Sequence, residues 1–154
     1  MLTGTELTKA VFAAVSEFDP SAVRECSLDV HLADWGQIEN NDTASPIRVV
    51  DLKVGQGLQL TPIDLRAGIA LRPGQFLLAE TREKFKLPED LSGMFTLRSR
   101  YARNGLDHST SLVLRPGWEG HLVLELWNRT QWHSILLKAG EPIGQVHFFR
   151  SPAV

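Results

Sequence analysis

The sequence predicts a mainly β domain, a sandwich or barrel with one short N-terminal helix. Apolar stretches are short and recur along almost the whole chain, and Pro-Gly, Leu-Pro and Ser-Gly punctuation separates them. Helical spacing is confined to the first residues. Many short strands divided by Gly and Pro turns imply a sandwich or a barrel.

The elements follow in order. Leu7, Val11 and Val15 recur at helical spacing. Thr3 followed by Glu6 has the form of a capping box. Phe18-Asp19-Pro20 ends the helix, because the residue before proline resists the helical region. "CSLDVHLADW" alternates apolar and polar residues, the pattern of a half-buried strand. "NNDTASP" (40–46) is a loop by composition, and "IRVVDL" (47–52) reads as a short strand before the glycines of "KVGQG". "LQLTPIDL", "GIALRPGQFLLAETREKFKLP" and "LSGMFTLRS" continue the series, and "TSLVLRPGW", "HLVLELWN" and "SILLKAGEPIGQVHFF" complete it. "LRPGQFLLA" and "LKAGEPIGQ" share a Leu-basic-x-Gly turn, which is hairpin chemistry rather than a repeat. No linker or low-complexity segment interrupts residues 1–154, which read as a single domain.

Composition narrows the function classes. With 154 residues, 43% of them hydrophobic and 22% charged, the chain can bury a sizeable core. A net charge of −2 supplies no global attraction to nucleic acid or anionic membranes. The one cysteine, Cys26, forms no intrachain disulfide and no Cys-x-x-Cys pair. The start "MLTGTELTKAVFAAV" lacks the form of a signal peptide, and no stretch has the length of a membrane span. A cytoplasmic location is expected.

One strand carries an unusual residue. In "HLVLELWN" a period of two puts Leu122, Leu124 and Leu126 on one face and Val123, Glu125 and Trp127 on the other. The leucines form the natural core face. Glu125 then points the other way, either to open water or into a pocket or subunit interface. In a pocket, apolar neighbours would raise its pKa and favour a proton-carrying role. Upstream, Arg98, Arg100 and Arg103 precede Asn104-Gly105. Arginine forks match phosphate oxygens, and serine and backbone N–H groups in a tight turn can complete an anion site. The plain alternative is a solvated basic turn.

These segments together resemble the dCTP deaminases of the trimeric dUTPase-like superfamily. The matching residues are Arg98-Ser99, Arg103-x-Gly105, Pro116-Gly117-Trp118-Glu119-Gly120, Leu124-Glu125 and Asn128. "CSLDVHLADW", "LRPGQFLLAETREKFKLPEDLSG" and "LKAGEPIGQVHFF" extend the resemblance over nearly the whole chain. It implies a distorted β-barrel or jelly roll that assembles as a homotrimer, with active sites between subunits and a deoxynucleotide substrate. By the same resemblance Glu125 is the general base that activates water for attack on C4 of cytosine, with release of ammonia. Ser99 and Arg103 hold the nucleotide and the attacking water, Arg98 binds triphosphate oxygens, and Trp118 and Ser111 line the nucleotide site. Mg²⁺ is expected to arrive with the triphosphate and to need no metal site of the protein's own. Zinc is not expected, since a single cysteine cannot supply the Cys-x-x-Cys pair of zinc-dependent deaminases. Among the histidines, His108 lies beside the signature loop, placed to line the pocket, while His121 and His147 read as ordinary half-buried residues.

Several positions depart from the family pattern. Arg115 stands where the superfamily commonly has Asp, and Arg cannot accept a hydrogen bond or act as a base. This favours plain deamination over a variant that also releases pyrophosphate. Val113 replaces a usual Arg, Arg100 replaces the second signature Ser, and the loop carrying Thr110 and Ser111 is one residue short. Family chains continue into a tail that closes over the nucleotide. Here the sequence stops at "FRSPAV", so triphosphate binding is expected to be weaker, or another element covers the site. The alternative function is a catalytically altered nucleotide-binding or regulatory protein that kept the trimeric fold. A nucleic-acid-binding role has only the arginine cluster in its favour.

Overall fold

A computed structural model describes residues 1–39, 49–55, 57–108 and 112–150. The loop expected at 40–46, the first two residues of "IRVVDL", and Thr110 and Ser111 lie outside these residues. The chain runs α1 (Gly4–Ala14), β1 (Val15–Ser16), β2 (Leu28–Glu39), β3 (Leu60–Asp64), β4 (Ile69–Leu71), β5 (Phe76–Lys86) and β6 (Leu91–Leu97). It continues through α2 (Ser99–Ala102), β7 (Leu106–His108), β8 (Val113–Leu114), β9 (Glu119–Asn128), β10 (Ile135–Leu137) and β11 (Pro142–Arg150).

Nine described strands form one antiparallel sheet in the order β7-β9-β5-β2-β11-β6-β8, with β1 on β5 and β3 on β2. The register slips between Leu32 and Gly36 on β2 and between Glu80 and Lys84 on β5. Bulges of this kind bend a strand and increase its twist, and here they help curl the sheet into a distorted barrel of the jelly-roll type. A second, two-stranded sheet pairs β4 with β10, Ile69 facing Leu137 and Leu71 facing Ile135. The strands before the two similar Leu-basic-x-Gly turns are therefore neighbours. Phe85, Phe95 and Phe148 are fully buried in the core with leucines from β2, β5 and β9. Helix α1 adds Leu7, Ala10, Val11 and Ala14, and the Leu2 N–H ties the N-terminus to the Phe148 carbonyl of β11 at 2.7 Å.

Four local expectations are corrected. The Thr3 side chain makes no cap bond, so the capping box does not form. Helix α1 stops at Ala14, short of Phe18, because Val15 is captured by the sheet opposite Phe85. Val49–Leu52 form no strand: Val49 and Leu52 are exposed, and Leu52–Val54 make a 3-10 turn whose Lys53 N–H bonds to the Asp51 carboxylate. A local side-chain acceptor competes there with strand pairing. Finally, β2 does not alternate at its start, where Leu28, Asp29 and Val30 are all buried. Asp29 can be buried there because the Arg24 guanidinium pairs with its carboxylate at 2.7 Å.

Close packing leaves no room for a side chain at one glycine. A Cβ on Gly144 of β11 would overlap the Phe95 ring and lie 2.7 Å from the Thr96 carbonyl oxygen. Gly144→Ala is expected to destabilise the fold by about 1–3 kcal/mol, as overpacking does. A urea midpoint equal to wild type would refute this.

Candidate functional site

Strand β9 sorts its side chains by period two. Leu122, Leu124 and Leu126 are buried, Val123 and Trp127 are exposed, and Glu125 is half-buried on their side. Glu125 stands opposite Leu78 of β5 and opens on a groove of about 600 Å³. Leu114, Leu122, Val113 and Val123 give the groove apolar walls, and Arg115 and Trp118 line it as well. The turn before β9 presents these last two residues. Gly117 adopts φ 74°, a left-handed backbone conformation that residues with a side chain rarely adopt, so the turn favours glycine. The Trp118 carbonyl accepts the Leu87 N–H at 2.9 Å, and its indole packs 6.2 Å from the Phe85 ring. Trp118 thus has one side against the core and another toward the groove.

His108 ends β7, the neighbour of β9, opposite Leu126. Its ring is buried and lies 4.8 Å from Phe95, and neither ring nitrogen has a hydrogen-bond partner among the described residues. Burial holds its pKa below the usual imidazole range, opposed by the nearby Glu125 charge. A histidine whose folded pKa is depressed contributes stability above its unfolded pKa, about 6.5. That contribution is lost as pH falls below 6.5 toward the folded value. His108→Gln is therefore expected to flatten the loss of thermal stability below pH 6.5, and an unchanged profile would exclude the effect. His121 and His147 are half-buried, and each contacts a backbone carbonyl at 3.0 Å, those of Thr81 and Cys26.

The arginine turn folds differently from the groove. Arg98 caps α2, its N–H bonded to the Ile143 carbonyl at 3.0 Å. Its guanidinium lies 3.8 Å from Asp29 Oδ2, which also accepts from Arg24 Nε at 2.7 Å. Asp29 is 1% exposed, and its second oxygen, Oδ1, has no partner among the described residues. Gln145 of β11 pairs with Asp29 in register and accepts from the Ser27 hydroxyl at 3.4 Å. Ser99, Arg100 and Arg103 are exposed. Gly105 closes the turn at φ 84°, where a Cβ would meet the Thr130 methyl at 2.5 Å. The structure therefore gathers Arg98 and Arg24 around Asp29, and neither Asp29 nor Arg24 was singled out from the sequence. The available signal was a carboxylate inside an apolar strand run, the same signal that marked Glu125.

Within one chain these are two patches. The residues lining the Glu125 groove include Trp118 but not Arg98, Ser99 or Arg103. Ser111 is outside the described residues.

A family model described as dCTP deaminase-like matches residues 1–151. The chain belongs to this family. It is 33% identical over 161 aligned positions to a "dCTP deaminase, dUMP-forming" of Corynebacterium efficiens, covering 99% of this chain and 81% of that one. It is 37% identical to a protein of the same name from Salinispora arenicola, covering 94% and 76%. Among solved structures, the 2′-deoxycytidine 5′-triphosphate deaminase of Agrobacterium tumefaciens matches with a TM-score of 0.71 at 23% identity. That match covers 93% of this chain and 46% of the solved one, so this chain spans less than half the length of that deaminase. The dUTPase of Streptococcus mutans matches with a TM-score of 0.52 at 17% identity, covering 86% and 83%. These two likenesses establish the shared fold.

Proposed function

We propose that this chain is a dCTP deaminase-like hydrolase that converts a cytosine deoxynucleotide to the uracil form. The observation that carries this is Glu125: a half-buried carboxylate opening on a groove that Arg115, Trp118 and aliphatic side chains line, on a strand whose leucines fill the core. The family membership supplies the substrate class. In this reading the Glu125 carboxylate takes a proton from water, and the resulting hydroxide adds to C4 of cytosine. The proton passes to the exocyclic amine, the C4–N bond breaks and ammonia leaves, and the remaining hydroxyl proton moves to N3 as C4 becomes a carbonyl. The name of the relatives, dUMP-forming, supports a second step in which water cleaves the α–β phosphoanhydride to give dUMP and pyrophosphate. That weighs against the expectation drawn from Arg115.

The two patches support a site shared between copies, as in a homotrimer. Ser99 and Arg103 of one copy would meet the Glu125 groove of the next, and Arg98 with Arg24 would face the phosphates. The outer face beside the groove exposes Trp35, Val123 and Trp127, apolar surface that a neighbour would cover. Mg²⁺ fits as a cation carried by the triphosphate. No three His, Cys, Asp or Glu side chains converge to hold a metal among the described residues, and Asp29 Oδ1 offers one buried oxygen. When bound, the ion supplies positive charge to phosphate oxygens. The reading uses no zinc. No described helix is long and apolar enough to cross a membrane, and a cytoplasmic location is part of the proposal.

The test is a product assay with dCTP, dUTP and dCMP plus Mg²⁺, separated by chromatography. dUTP or dUMP from dCTP supports the deaminase. Pyrophosphate release from dUTP supports the second step, and its absence restores the Arg115 expectation. The second reading, a nucleotide-binding protein without turnover, rests on exposed Arg115 and Val113 in the groove. Binding of dCTP without any product would favour it.

A further inference from the structure

We propose that the hydrogen bond between Tyr101 and Glu141 is a positioning element of the nucleotide site, holding α2 against the strands that carry Asp29 and Gln145. The inference rests on the function proposed above, which places the α2 side chains on the nucleotide.

Helix α2 has four residues, too few to be stable by its own hydrogen bonds. Ser99, Ala102 and Arg103 are exposed, so packing does not hold those side chains either. Tyr101 is the one residue of α2 that is buried, and its hydroxyl donates to Glu141 Oε2 at 2.7 Å. Burial, and then the Glu141 carboxylate, push the phenol up to about 12, so it stays a donor across the neutral range. The Arg100 guanidinium lies 5.4 Å over the same ring.

Glu141 is itself fixed at the start of β11. Its carbonyl accepts the Leu32 N–H of β2 at 3.0 Å, and its N–H bonds to the Lys138 carbonyl at 3.2 Å. The adjacent Gly140 N–H returns to the Leu32 carbonyl at 2.8 Å. Leu32 follows Asp29 on β2, and Gln145 follows Glu141 onto β11. One side-chain bond thus links the element bearing Arg98, Ser99 and Arg103 to the start of β11 and, through the Leu32 backbone bonds, to the strand bearing Asp29, the partner of Arg98. A charge-assisted bond of this length is of the stronger kind. Its loss should free α2 to move by the small displacements that matter when a reacting group must be oriented.

The experiment compares the full chain with Tyr101→Phe, Glu141→Ala and Glu141→Gln. Tyr101→Phe keeps the buried ring and removes the hydroxyl alone. Hydrogen exchange is read without nucleotide, and KM and kcat are read with dCTP. Tyr101→Phe and Glu141→Ala should speed exchange of the Ala102 and Arg103 amides and raise KM, each roughly tenfold, as expected for one lost hydrogen bond to a charged group. Exchange at Leu124 and Leu126 should stay at the wild-type rate. Glu141→Gln keeps an acceptor oxygen and should restore both readouts. Faster exchange throughout the sheet together with an unchanged KM would show a merely structural tie and overturn the proposal. So would wild-type exchange at α2 in Tyr101→Phe. A wild-type chain that neither binds nor converts dCTP, with α2 loosened in the variants, would overturn the nucleotide role and leave the tie as a holder of α2.

Discussion

Glu125→Gln is expected to keep assembly and nucleotide affinity near wild type and to lower deamination about 10²–10⁴-fold, the usual range for one positioned acid–base group. The substitution changes little else. Glutamine has nearly the shape of glutamate, and position 125 lies on the face of β9 opposite the buried leucines. Its carboxamide donates and accepts hydrogen bonds but takes no proton from water. The core contacts of Leu122, Leu124 and Leu126 therefore remain while the proton transfer is removed. Single-turnover rates with dCTP and sedimentation of the same sample measure the two effects separately. A variant that retains turnover would remove Glu125 as the base. A variant that falls apart would show that the carboxylate has a structural duty instead.

Mixing two inactive variants should recover activity. Arg103→Ala and Glu125→Gln each spoil one half of the proposed shared site. In a cyclic assembly with heterologous contacts, every site takes its Glu125 from one copy and its Arg103 from the next. Random mixing in equal amounts then gives an intact pair at about one quarter of sites, so activity should rise from near background to about one quarter of wild type. The separation of the groove from the Arg98–Asp29 cluster within one chain is what motivates the experiment. Recovery after co-expression or refolding would support sites between copies. No recovery, with both variants shown to co-assemble, would place Glu125 and Arg103 in the same copy and refute the shared site.

Much of the architecture was legible in the residues. The Pro-Gly and Lys-Ala-Gly turns mark where strands end, and period-two leucines mark the core face of β9, because turn geometry and burial act on adjacent residues. The signature Arg98-Ser99, Arg103-x-Gly105 and Pro116-Gly117-Trp118 residues carried the family. The errors share a cause. Val15 and Val49–Leu52 each had a local pattern that strand pairing or a nearer hydrogen bond overrode. Strand β7 went unread because its three residues pair with β9, beyond the intervening β8, and three residues carry no period of their own.

The site divides along the same line. The sequence by itself determined that Glu125 faces away from the leucines, since side-chain direction in a strand follows from its two-residue period. It also determined that the turns at Gly105 and Gly117 are tight. Only the tertiary structure decided that Asp29 is buried against Arg24 and Arg98, that His108 is buried beside Phe95, and that Tyr101 reaches Glu141. Each of these joins residues from different elements. Their distances depend on how the sheet curls and on which strands become neighbours, and no run of adjacent residues encodes that alone.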